Sequence, residues 1–162
     1  MKKLVLAAVV LVSVTLPSVA KNFAVPEKNP IATLAIPDTW KAEEIEYGYS
    51  AKSPDNDIFF SAEYATGARV DAMLENNSDW LKENKITSKE KPAESEINIG
   101  GLSAKMLTVN GADENGPTVV EFVFIPAGPK RLVMLTLWGS QEERKANEAD
   151  IKLIESSVKP IN

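Results

Sequence analysis

An α+β fold, a mostly antiparallel sheet of about six or seven strands with two main helices packed on it, is predicted by three features of this sequence. Segments that alternate polar and apolar residues recur at hairpin spacing along most of the chain. Two stretches instead repeat their apolar residues at three and four, the period of an amphipathic helix. One pair of strand-like runs is apolar on both faces, and belongs in the middle of the sheet with layers above and below.

The chain opens with Lys2 and Lys3, continues with an apolar run from Leu4 to Leu16 that only Ser13 and Thr15 interrupt, and reaches Pro17 and the small residues Ser18-Val19-Ala20. Basic start, short apolar stretch and small-residue cut site, in that order, make a secretory signal, with cleavage expected after Ala20. The run is shorter than the ~20 apolar residues a membrane-spanning helix needs. The expected location is the periplasm, or the medium, with no stable membrane span once residues 1–20 are removed.

Lys21 to Pro30, with two prolines and no clear period, reads as an extended leader, and Ile31 to Pro160 as one α+β domain. Ile31 to Ile36 is a short strand closed by Pro37-Asp38-Thr39, where proline presets a turn dihedral and aspartate can bond its own backbone. Glu44 to Lys52 alternates as one half-buried strand, with Ile45, Tyr47, Tyr49 and Ala51 on one side. The turn Pro54-Asp55-Asn56-Asp57 precedes a third strand, Ile58 to Tyr64. Val70, Met73, Leu74, Trp80 and Leu81 mark one helix from Arg69 to Asn84. Strands resume at Glu94 to Ile99 and Leu102 to Val109, around Gly100-Gly101, a pair suited to a two-residue turn that needs positive φ. Asn110 to Pro117 is dense in turn formers and reads as a loop. Thr118 to Ile125 and Arg131 to Trp138 form the central hairpin: from Val119 to Ile125 only Glu121 is polar, and from Leu132 to Leu137 only Thr136. Ser140-x-x-Glu143 is a capping box that opens a last helix to Ser157, ended by Lys159-Pro160.

Composition removes most chemistry. With no histidine and no cysteine among 162 residues, the chain has no Ser-His-Asp triad, no thiol nucleophile, no disulfide and no histidine- or thiolate-ligated metal. It holds no Gly-x-Ser-x-Gly, phosphate-cradling glycine loop or dinucleotide fingerprint. The net charge of −5 becomes −7 when a signal with two lysines and no acid is removed. That sign disfavours nucleic acid and anionic lipid, which attract clustered lysine and arginine. The chain is expected not to be an enzyme and to carry no cofactor and no metal.

Several patterns resemble sites and have plainer readings. Asp55-Asn56-Asp57 starts like a calcium loop, but Ile58-Phe59-Phe60 ends the run of oxygen ligands. Asp113, Glu114 and Asn115 read as a solvated hairpin tip. Ser88-x-x-Lys91 lies in a charged link, where lysine stays protonated and cannot act as a base. Asp38, Glu43, Glu44 and Glu46 form a solvated acidic edge. The binding candidates are Trp40, Tyr47 and Tyr49, because such rings join a large apolar area to a polar tip. The same rings also suit a sheet face that is simply covered, and Trp80 and Trp138 read as core.

One resemblance covers Ile31 to Pro160. An apolar strand running into Ile36-Pro37-Asp38-Thr39-Trp40, the Tyr47-x-Tyr49 strand, one helix, a long antiparallel run and a last helix ending Ile154-Glu155-Ser156-Ser157-Val158-Lys159-Pro160 together resemble the PsbP-like superfamily. That superfamily also takes in a Ran-binding import factor and periplasmic DcrB-like proteins. The resemblance implies an α/β/α sandwich and leans towards protein-binding accessories; it carries no shared activity and no binding residues onto this chain. The expected function is an exported, non-enzymatic binding or accessory protein whose partner is another envelope protein. The alternatives are a small-molecule or lipid carrier with a pocket between sheet and helix, and a hydrolase using carboxylates alone.

Overall fold

A computed structural model describes residues 19–161. The secretory signal is read from residues 1–20, nearly all of which lie outside the described residues. Strands β1 (Ala20–Val25) and β2 (Ala32–Pro37) pair antiparallel, with Ala20 opposite Pro37 and Val25 opposite Ala32. Much of the segment expected as a leader is therefore a paired strand. Its apolar stretch, Phe23 to Val25, is too short to show a period, yet Val25 is fully buried.

The expected single strand from Glu44 to Lys52 is a hairpin of β3 (Lys41–Ile45) and β4 (Gly48–Lys52), reversing at Glu46-Tyr47. Gly48 makes the reversal possible: its φ is 149°, and a side chain there would collide with the Ala62 carbonyl oxygen. Glu44 lies opposite Tyr49 and Ile45 opposite Gly48, so Ile45 faces away from Tyr49 and Ala51 instead of joining them.

Strand β5 (Phe59–Thr66) leads into two short helices, α1 (Arg69–Glu75) and α2 (Asn77–Glu83), where one was expected. The break is at Asn76, which has the φ of −82° and ψ of 1° of a turn residue. Then come β6 (Ala93–Ile99) and β7 (Leu102–Asp113), joined by Gly100 and Gly101 at φ 57° and 89°, as a tight hairpin turn requires. β7 pairs with β8 (Gly116–Pro126) as far as Asp113 opposite Gly116. The expected loop over Asn110 to Pro117 is thus mostly strand, because ladder bonds are made by backbone and leave only the tip to turn. β9 (Arg131–Gly139) follows, then α3 (Gln141–Ala146) and α4 (Glu148–Ser157), parted at Asn147, and β10 (Lys159–Pro160).

Seven strands form one antiparallel sheet in the order β3-β4-β5-β9-β8-β7-β6, and β1-β2-β10 form a second, smaller one. The hairpin β8-β9 lies inside the large sheet, as its two apolar faces require. On one face, Phe60, Val123, Ile125, Val133 and Leu135 pack against Leu34 and Ile36 of β2 and Ile151 and Ile154 of α4. On the other, Val120, Phe122, Phe124 and Met134 pack against Met73, with Trp80 and Leu81 of α2 beside them. Helices therefore cover both faces, and the small sheet joins α4 in covering one of them. No helix among the described residues is long and apolar enough to cross a membrane.

Candidate functional site

Three loops and a helix start meet at one end of the large sheet and leave an open cleft of about 940 Å³. Its first wall is the turn after β4. The Ser53 hydroxyl accepts a hydrogen bond from the Ile58 N–H (2.9 Å) and donates one to Asp55, whose carboxylate accepts from the Asp57 N–H (3.2 Å). These bonds make the Asp55-Asn56-Asp57 stretch a turn. The described residues contain no group of three or more acidic side chains placed to hold a metal ion.

The second wall is the segment after α2. Thr87 exchanges backbone hydrogen bonds with Ala112 at 2.9 Å each, and the Ser88 hydroxyl lies 2.7 Å from the Asn110 carbonyl oxygen. Ser88 thus ties two backbones together. The third wall is the β7-β8 tip. Asp113 accepts from the Asn115 N–H (2.7 Å) and from the Trp138 indole N–H (3.1 Å), and the Thr118 hydroxyl accepts from the same indole (3.0 Å). Asp113, which the sequence placed on a solvated tip, anchors the tip to a tryptophan. The fourth side is the start of α3, where the capping box is complete: the Ser140 N–H donates to Glu143 at 2.6 Å and the Glu143 N–H to Ser140 at 3.3 Å.

Half-buried Trp138 and Phe59 line the cleft and belong to a ring cluster. Their centroids are 6.3 Å apart, and each stands 5.9 Å from Trp80, which meets Phe122 edge-on at 5.7 Å. The charged lining is mostly acidic: Asp57, Glu90, Asp113, Glu142 and Glu143 against Lys52 and Lys89. Desolvation holds the Asp57 carboxyl above its ordinary range, and the nearby charges of Asp55 and Glu143 push the same way. Asp55 is lowered instead, chiefly by the Ser53 hydroxyl.

The binding candidates read from the sequence sit elsewhere and apart. Trp40 is 4% exposed, with its indole N–H donating to Asp150 of α4 at 2.9 Å, so it is a core residue and offers no surface to a partner. Tyr49 is half-buried and meets the Phe23 ring edge-on at 4.8 Å. Burial raises its pKa, followed by the charges of Glu27 and Glu44. Tyr47 stands in the β3-β4 turn, with the Arg69 guanidinium 3.1 Å from its ring centre and Tyr64 at 6.3 Å. None of the three lines the cleft.

No family model matches the sequence, and comparison with curated proteins finds no similar sequence. Solved structures do match. The cyanobacterial PsbP of Synechocystis sp. PCC 6803 (CyanoP) is similar with a TM-score of 0.61 at 8% identity, over 94% of this chain and 98% of that one. The fold is PsbP-like. LpqN, involved in cell envelope biogenesis of Mycobacterium tuberculosis, is similar with a TM-score of 0.54 at 17% identity, over 88% of this chain and 92% of that one. A protein from Bacteroides thetaiotaomicron gives 0.56 at 14%, over 82% of this chain and 46% of that one.

At such identities the likeness is one of fold and carries no cleft residue onto this chain. The carrier alternative needs a cavity inside the PsbP-like layers. Between α4 and the sheet, beside Phe60, Leu135, Ile151 and Ile154, the free volume is about 10 Å³. That holds a single water at most, against the several hundred Å³ of a ligand pocket. On the opposite face the ring cluster around Trp80 occupies the space under α2.

Sequence reasoning missed the cleft because its walls are three turns far apart in the chain. The signal available was the clustering of turn formers at Pro54 to Asp57 and Asn110 to Pro117, and nothing in their spacing says that they meet.

Proposed function

We propose that this chain is an exported, non-enzymatic accessory protein that binds another protein of the cell envelope, and that the open cleft beside Trp138 is where it docks. The signal is cut after Ala20, and the mature form begins at Lys21 and works in the periplasm or outside the cell. One observation carries the docking reading: a cleft of about 940 Å³, walled largely by loops, is open to solvent, whereas the space between sheet and helix α4 leaves only about 10 Å³. A surface of that kind suits a partner's protruding segment better than an enclosed small ligand. The absence of histidine and cysteine from the whole sequence supports a role without catalysis. The envelope setting draws support from the likeness to LpqN.

Site-specific photocrosslinking in living cells tests the reading. A crosslinker at exposed Gln141 is expected to trap a reproducible partner that one at exposed Lys28, outside the cleft, does not. Equal capture at both positions, or none at Gln141, overturns it. The mass of the exported chain checks the cut: loss of residues 1–20 is expected, and a retained N-terminus contradicts it.

A further inference from the structure

We infer that the occupant of this cleft is a positively charged, extended segment of the partner protein, with lysine or arginine side chains reaching in beside Trp138; this rests on the docking function proposed above. Three observations converge. The cleft is open and, at about 940 Å³, near the upper end of the range of ligand pockets, so it takes several side chains of a segment rather than one enclosed molecule.

Its charged lining is five carboxylates against two lysines, and none of these seven groups is in an ion pair among the described residues. Like charges held together gain most from a cation that enters among them. The crowding is physical as well as formal, since some loss of hydration and then the charges of its acidic neighbours Asp55 and Glu143 all raise the exposed Asp57 carboxyl.

The half-buried rings of Trp138 and Phe59 supply the third element. Lysine and arginine carry apolar stems that cover ring surface while the charged head reaches outward. An aromatic face also attracts the cation itself. An anionic or purely apolar segment would leave the Asp57, Glu90 and Glu142 carboxylates desolvated and without a partner, which is costly.

The test uses the exported full-length mature protein and a short, end-blocked peptide of alternating lysine and alanine. Calorimetry gives the affinity, and amide chemical shifts give the place. Binding is expected to move the signals of Asp57, Glu90, Asp113 and Glu142 and to weaken severalfold as salt rises. The double variant Asp57→Asn, Glu142→Gln is expected to bind about fivefold more weakly with an unchanged melting temperature, since both side chains are exposed and neither makes a side-chain hydrogen bond that holds the loops. A glutamate-alanine peptide that binds as well, or a double variant that binds as tightly as the parent, overturns the inference. Spermidine is the second arm: if it displaces the peptide at equal charge concentration, the site takes free amines and the inference of a protein segment fails. A partner crosslinked at Gln141 together with no binding of the basic peptide would sink this inference alone. Peptide binding with no crosslinked partner would sink the docking function.

Discussion

Trp40 shows how far a single residue's environment decides its role. A tryptophan after a Pro-Asp-Thr turn can be a surface anchor or a core plug, and here the Asp150 carboxylate on α4 accepts from its indole N–H at 2.9 Å. Trp40→Phe keeps most of the apolar area and removes this one bond. It is expected to cost about 1.5–3 kcal/mol in denaturant unfolding, the usual range for a hydrogen bond to a charged group. Glu155 makes the same point for charge. Desolvation raises its pKa, then the charge of Glu121 on β8; Arg144 on α3 and Lys152 on α4 oppose the shift. The folded chain therefore holds this proton where the unfolded chain has released it. The stability this adds is fully present below the ordinary carboxylate range and is lost as pH rises through the raised value. Glu155→Gln is expected to raise the melting temperature relative to the parent at neutral pH and to change it little in acid. An equal change at both pH values would contradict this.

Elements fail or hold according to what a few backbone positions allow. The β3-β4 hairpin depends on Gly48, whose φ of 149° and contact with the Ala62 carbonyl exclude a side chain. Gly48→Ala is expected to cost about 2 kcal/mol or more in equilibrium unfolding, well above an ordinary surface substitution. Smaller breaks at Asn76 and Asn147 divide each expected helix in two, because asparagine side chains compete with the helix for backbone bonds. At both breaks they do so: Asn147 donates to the Glu143 carbonyl at 3.1 Å, and Asn77, beside the first break, to the Leu74 carbonyl at 3.3 Å. Ser140 and Glu143 needed no tertiary context, since a capping box closes within four residues.

Across the whole molecule, the large sheet separates two cores. Ile125 faces β2 and α4, and Val120, five residues earlier on the same strand, faces the α1-α2 side; both are fully buried. Ile125→Val is expected to cost about 1 kcal/mol and Val120→Ala about 2 kcal/mol. Because the two side chains share no core, the double variant should lose their sum to within about 0.5 kcal/mol. A clear departure from additivity in urea unfolding would mean that the two cores are coupled through the sheet.

The central hairpin, the strand-helix order and the capping box were legible in the sequence, because each is written in periodicity or in contacts a few residues apart. The PsbP-like architecture followed from that order. The reversal at Glu46-Tyr47 was hidden because the residues on either side keep alternating through the turn, so a hairpin and a strand read alike. The small sheet, the burial of Trp40 and the cleft came only from tertiary structure. Each joins segments distant in the chain: β10 to β2, Trp40 to Asp150, and Asp57 to the loop at Asn110 to Pro117. Local sequence sets dihedral preference and which face is apolar; which surfaces then meet depends on how the layers close, and no spacing along the chain encodes that distance.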